Sequence, residues 1–183
     1  MKNLICLQLE STGVGNETLT SGITPLKKLV KLSLGNTKVS SSGIENGISK
    51  LQNLTYLDLG GNELGDAALI NGLKPLTRLR FLSLNWTKAG DAGIIEGISS
   101  LRDLEQLYLT GTAITDKGVK EGISKLTHLN TLFLSDTAVG DDSISGGLAT
   151  LTNLRKLFLS GTYMTVQGVS QLKEKLKGCE IYY

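Results

Sequence analysis

The chain has 183 residues, 40% apolar and 20% charged, with 19 Lys and Arg against 17 Asp and Glu and a net charge of +2. That length suits one or two domains with a buried core. So small a net charge excludes the strong single-sign field of a dedicated nucleic-acid binder or a polybasic membrane protein. Two Cys cannot staple a scaffold, and one His leaves little for a metal site. No apolar run approaches the roughly 18 residues of a bilayer span. The start, from Met1 to Glu10, holds one Lys and an apolar stretch cut by Gln8, a poor secretory leader. A cytoplasmic chain without disulfides, metal or cofactor is therefore the expectation.

In chain order, one pattern returns every 25 residues. Leu26, Leu51, Leu76, Leu101, Leu126, Leu151 and Leu176 mark its start, with Met1 in the same register. Counted from that residue, positions 4, 7 and 9 are Leu in all seven units, from Leu4, Leu7 and Leu9 to Leu154, Leu157 and Leu159. Alternation at positions 7 and 9 predicts a short strand with positions 6, 8 and 10 facing outward. Position 14 (Val14, Val39, Leu64, Ala89, Ile114, Val139, Met164) turns back into the core.

A short helix is predicted next. Asp66, Asp91, Asp116 and Asp141 at position 16 read as its N-caps. Ile94, Ile98 and Leu101, like Val119, Ile123 and Leu126, recur at the spacing of a core-facing stripe. A strand–turn–helix unit cannot bury its Leu face alone, so the seven units over residues 1–175 must stack. From about residue 166 to 183 a longer amphipathic helix, with Val169, Leu172 and Leu176 on one side, reads as a C-terminal cap. No such cover precedes unit 1, so a piece of a longer protein, or a frayed first unit, is expected there.

The run L-x-x-L-x-L, followed by x-x-Asn/Cys/Thr and an aliphatic residue, resembles the leucine-rich-repeat signature, whose units run to roughly 20–29 residues. The resemblance covers essentially the whole chain. It implies one α/β domain, residues 1–183: a right-handed solenoid with parallel strands on a concave face and short helices on a convex one. Position 12 departs from the best-known form. It is Thr12, Thr37, Thr87, Thr112, Thr137 and Thr162, with Asn62 the only Asn. A shorter hydroxyl ladder is expected where the family often has an amide ladder. This Thr form is similar to ribonuclease-inhibitor-like and bacterial, planctomycete-type, repeats.

Several motifs that suggest chemistry read as structure. Gly at positions 18 and 22 spells G-x-x-x-G in short polar segments, which indicates close approach of neighbouring units rather than membrane dimerisation. His128 at position 3 stands beside Asp103 and Asn153 but has no nucleophile within hydrogen-bond reach. Cys6 and Cys179 lie at opposite ends of the stack and are expected to be free thiols, Cys6 pointing outward and Cys179 at a core Leu position.

The aromatics are the informative residues. Tyr56 and Phe81 stand at position 6, Tyr108, Phe133 and Phe158 at position 8, and Trp86 at position 11. All are predicted to project from the strand face or its rim, with Phe81 and Trp86 continuing a ladder from Tyr108, Phe133 and Phe158 toward Tyr56. Tyr108, Phe133 and Trp86 are each predicted to be more than about a third exposed. Tyr182 and Tyr183 read as tail. A contiguous apolar patch marks an interaction site, so Tyr56, Phe81, Trp86, Tyr108, Phe133 and Phe158 are the candidate partner-binding residues. Arg78 and Arg80 are expected to pair with Asp103 and Glu105 at the rim. With the resemblance, this implies a non-enzymatic module that binds another protein or peptide. The alternatives are the recognition part of an enzyme assembly (a ubiquitin-ligase substrate adaptor or a bacterial effector), a spacer without ligand, or a single-strand binder stacking bases on its rings. Asp58, Glu105 and Asp136 on the same face count against the last.

Overall fold

Leu at positions 7 and 9 brings each unit's strand onto the same core, and the strands pair side by side. The computed structural model describes residues 3–183; the Met1 register position lies outside the described residues. Its strands are β1 (Cys6–Gln8), β2 (Lys31–Ser33), β3 (Tyr56–Asp58), β4 (Phe81–Ser83), β5 (Gln106–Tyr108), β6 (Thr131–Phe133), β7 (Lys156–Phe158) and β8 (Glu180–Tyr182). They form one unclosed parallel sheet in chain order. Leu32, Leu57, Leu82, Leu107, Leu132 and Leu157 are all fully buried between strand face and helices.

The expected seven strands are eight. Leu7 to Leu157 pair at steps of one full unit, but Leu157 pairs with Ile181, a step one residue shorter. The terminal segment is thus a helix, α4 (Val166–Lys175), followed by β8. The stripe of α4 (Val169 and Leu172, with Leu176 just after it) is buried, as read from the sequence. One deleted residue in the final turn lets Ile181 take the core place that Leu holds elsewhere.

The helical segments are short and uneven: α1 (Ser41–Asn46), α2 (Asp66–Ala68) and α3 (Asp116–Glu121), with wider or tighter turns elsewhere. Wide turns show as Thr24 N–H to Leu19 O at 2.8 Å and Ser99 N–H to Ile94 O at 2.9 Å. Close stacking explains why regular helix cannot develop. A Cβ at Gly122 would stand 2.6 Å from Ile94 Cγ2, and one at Gly97 2.6 Å from the Leu69 carbonyl carbon. Position 22 is therefore where the backbone of one unit meets the preceding unit.

Position 16 does something other than cap. The caps are Gly65, Thr115 and Gly140, one residue earlier, and Asp66, Asp116 and Asp141 are the first helical residues. Their carboxylates reach across to the following unit. Asp66 accepts Gly90 N–H at 2.6 Å and Asp116 accepts Gly140 N–H at 2.7 Å. Asp91 and Asp141 each accept the N–H and the hydroxyl of Thr115 and Thr165. Asn16 does the same for Ser40 N–H at 2.9 Å. These bonds, charge-assisted where the acceptor is Asp, couple unit 1 to unit 2 and units 3 to 7 in succession.

The threonines at position 12 also behave differently from a ladder. Each hydroxyl donates within its own unit, Thr112 to Leu109 O at 2.6 Å and Thr137 to Leu134 O at 2.6 Å. At this position units are bridged only at Asn62, which donates to Leu34 O at 2.8 Å and accepts the Thr37 N–H at 3.2 Å, with the Thr37 hydroxyl also 2.9 Å from the same amide oxygen. A hydroxyl is too short to span the gap; an amide is not. Thr112→Val is expected to cost about 1 kcal/mol in urea melts, the net worth of one buried hydrogen bond. Leu109 O keeps the Thr112 N–H at 3.3 Å, which holds the loss to that size. Thr112→Asn should be at least neutral, because its amide can reach Leu84 O as Asn62 reaches Leu34 O. A neutral Val variant would mean the hydroxyl contributes nothing.

Candidate functional site

With Leu at positions 7 and 9 turned inward, positions 6 and 8 must face the opposite side. There the rings stack. Tyr56–Phe81, Tyr108–Phe133, Phe133–Phe158 and Phe158–Tyr182 have centroids 4.1, 4.2, 3.9 and 4.5 Å apart and planes within 19° of parallel. Phe81–Tyr108, where the column moves from position 6 to position 8, is 5.0 Å and tilted by 44°. The result is one unbroken column over β3 to β8, about 24 Å long at the usual strand spacing.

Three expectations need correction here. Tyr182 is not tail: the shortened last unit places it at position 8 of β8, as the sixth ring. Its signal in the sequence was the alternation of Ile181 and Tyr182 one residue out of register. Trp86 does not continue the column. It sits apart at position 11, with its indole lying over the next unit: a Cβ at Gly111 would be 2.8 Å from Trp86 Cδ2. Tyr108 and Phe133 are also less exposed than predicted, because each ring covers its neighbours' faces. Trp86 alone of the three meets the expectation, at 63%. Tyr56, Phe81 and Phe158 are likewise partly buried.

Trp86 holds a left-handed backbone, φ +57. Position 11 is left-handed in every unit, shared by Ser11, Asn36 and Asp136 at +53 to +56 and by Gly61, Gly111 and Gly161. For a bulky residue this conformation costs about 1–2 kcal/mol, so a Trp here runs against local preference. The column itself is uncharged at neutral pH. Burial pushes the Tyr56 and Tyr108 phenols above their ordinary pKa, Tyr56 further by Asp58 and Glu10. The Tyr182 hydroxyl donates to Glu180 at 2.7 Å, which raises its pKa as well.

Beside the column, Arg80 pairs with Glu105 at 3.3 Å as expected. Arg78 instead donates to Asn53 at 3.0 Å, leaving Asp103 without it. Arg80, Asp103, Glu105, His128, Asn130 and Asn153 line a shallow recess. His128 there is exposed, with Nδ1 on Arg102 O at 2.8 Å. No Ser, Thr or Cys lines that recess. Among the described residues no group of three His, Cys, Asp or Glu is placed to hold a metal ion, and no helix is long and apolar enough to cross a membrane.

Both thiols are free. Cys6 is exposed, while Cys179 is partly buried against the core and burial pushes its pKa to about 11. Iodoacetamide at pH 8 is therefore expected to label Cys6 rapidly and Cys179 slowly, since the thiolate is the nucleophile. Because folding favours the protonated thiol, Cys179 contributes stability below the ordinary thiol range, and this is lost as pH rises from there through about 11. Mass spectrometry of the labelled chain checks this. Equal rates at both sites would contradict it.

Comparison with known proteins agrees with this architecture. A family model described as Leucine Rich repeat matches residues 50–71 and 100–121. No curated protein sequence matches the chain. Among solved structures, an internalin of Listeria monocytogenes is similar over 100% of this chain and 54% of its own, with TM-score 0.64 and 20% identity. Internalin C2 of the same organism is similar over 96% and 79%, with TM-score 0.63 and 23% identity. A leucine-rich-repeat protein of Leptospira interrogans is similar over 100% and 55%, with TM-score 0.53 and 22% identity. The chain thus spans about half the length of the first of these and of the third. Two units match the family model, and the fold that runs through the whole chain is the leucine-rich-repeat solenoid of these neighbours.

Proposed function

We propose that the chain, as a single domain, is a non-enzymatic recognition module that binds a protein or peptide through the ring column and Trp86. The unbroken six-ring column is the observation that carries this reading. β-propensity explains aromatics on strands, but it does not explain why Cys6, Gln8, Lys31 and Ser33 occupy the same positions in the first two units. Trp86, kept exposed in a backbone that resists it, supports the same face, since such strain collects at functional sites. The parallel rings also speak against a single-strand nucleic-acid binder: stacking needs free ring faces, and here neighbouring rings occupy them. Within the family, the own-unit threonine bonds fit the Thr-type, ribonuclease-inhibitor-like or planctomycete-type, repeats. The test is recovery of one partner by wild-type, Trp86→Gly and Gln8→Ala baits. Loss with the second bait and retention with the third supports the proposal; equal recovery by all three places the interface elsewhere.

A further inference from the structure

The ring column ends at Tyr56 beside a recess of different character. Glu10, Asp58, Asn36, Ser83, Asn85 and Trp86 line it, and Gly35 and Gly60 leave it open. A Cβ at Gly60 would come 3.3 Å from both Asp58 Oδ1 and Ser83 Oγ, so a side chain there would crowd the space. Its volume of about 230 Å³ is below the roughly 300–1,000 Å³ of small-molecule pockets, which suits one side chain. Both carboxylates are uncompensated. Among the described residues the ion pairs are Arg80–Glu105 and Lys88–Glu63, and neither Lys31 nor Lys38 pairs with Glu10 or Asp58. Their field reaches the column's end, where it helps raise the Tyr56 phenol. Across the β2–β3 ladder from Asp58 stands Ser33, on the same strand face and 3% exposed, whose Oγ has no hydrogen-bond partner. Ser33 lies beneath the recess and does not line it; the exposed indole and the two carboxylates without a cationic partner, which do, are the elements of a cation site.

We propose that this recess receives a lysine or arginine side chain of the partner, whose apolar stripe lies along the ring column with the basic residue at the Tyr56 end. This rests on the reading of the ring column as the binding face. The charge complementarity fixes direction: the column alone is nearly the same from either end, and the recess makes one end different. Surface ion pairs orient and select more than they strengthen.

The test uses the full chain and a phage library of random 12-residue peptides, selected on wild type and on the Glu10→Gln/Asp58→Asn double variant. The amide oxygen of Asn keeps the acceptor that Asp58 offers Gly60 N–H at 3.0 Å, and thermal melts confirm that the variant folds. Trp86, the only Trp in the chain, reports binding of Trp-free peptides by its emission. Wild type should enrich peptides with Lys or Arg at a fixed spacing from apolar residues, and the double variant should lose that enrichment. The best such peptide should bind the variant about fivefold more weakly, the size of two exposed ion pairs, since the variant keeps the Trp86 indole. Peptides that depend on Phe133 but carry no excess of basic residues, or bind the variant equally, overturn this inference and leave the binding face standing. Peptides whose binding survives Phe133→Ala, or no enriched peptide at all, overturn the binding face and this inference with it.

Discussion

Leu107→Ala is expected to lower the unfolding free energy by about 2–5 kcal/mol, the range for opening a cavity at a fully enclosed Leu. Leu107 is 0% exposed and pairs on either side with Leu82 and Leu132, so no solvent or mobile side chain is at hand to fill the space. The loss should also be local in form. Each unit contacts its neighbours, so a weakened middle uncouples the two ends of the stack. Urea unfolding followed by Trp86 emission, which reports unit 4, and by labelling of Cys179, which reports the last turn, should give coincident transitions for the wild type and separated ones for the variant. A variant that unfolds in one transition at the wild-type midpoint would contradict the stacked-core account.

Trp86→Gly is expected to move stability and binding in opposite directions. Relief of the left-handed backbone is worth about 1–2 kcal/mol, offset by about 0.5–1 kcal/mol for the greater chain freedom of Gly. The net is a gain of up to about 1.5 kcal/mol. Affinity for a selected peptide or for the natural partner should fall by about 2 kcal/mol or more, as for a truncated hot-spot Trp. Ser11→Gly, at the same position of unit 1 and with the same sign of φ, should share the stability gain without the binding loss. Phe133→Ala is a different case. Its ring lies between Tyr108 at 4.2 Å and Phe158 at 3.9 Å, so it should lose about 1–3 kcal/mol of stability, two aromatic pairs, as well as affinity. Isothermal titration on folded variants separates the two effects. A Trp86→Gly variant that binds at wild-type strength would remove Trp86 from the interface.

The sequence by itself determined the unit, its length, the inward Leu positions and the side of each strand that carries the aromatics. Each of these follows from periodicity, which a repeat copies seven times. Leu107, Ile94 and Val119 lie where spacing alone put them, at 0% exposure. Only the tertiary structure decided what passes between units, because those contacts join residues about one repeat apart and depend on reach in space. Asp91 bonds to Thr115 rather than capping its own helix, and Thr112 turns back to Leu109 because its hydroxyl is too short to reach the next turn. The same holds at the candidate site. Position numbers placed Phe133 and Phe158 side by side, but a one-residue shortening brought Tyr182 onto the column, and a left-handed turn carried Trp86 away from it. Glu10 and Asp58 lie two strands apart in the sheet, and meet in one recess because Gly35 and Gly60 between and beside them have no side chains to fill it.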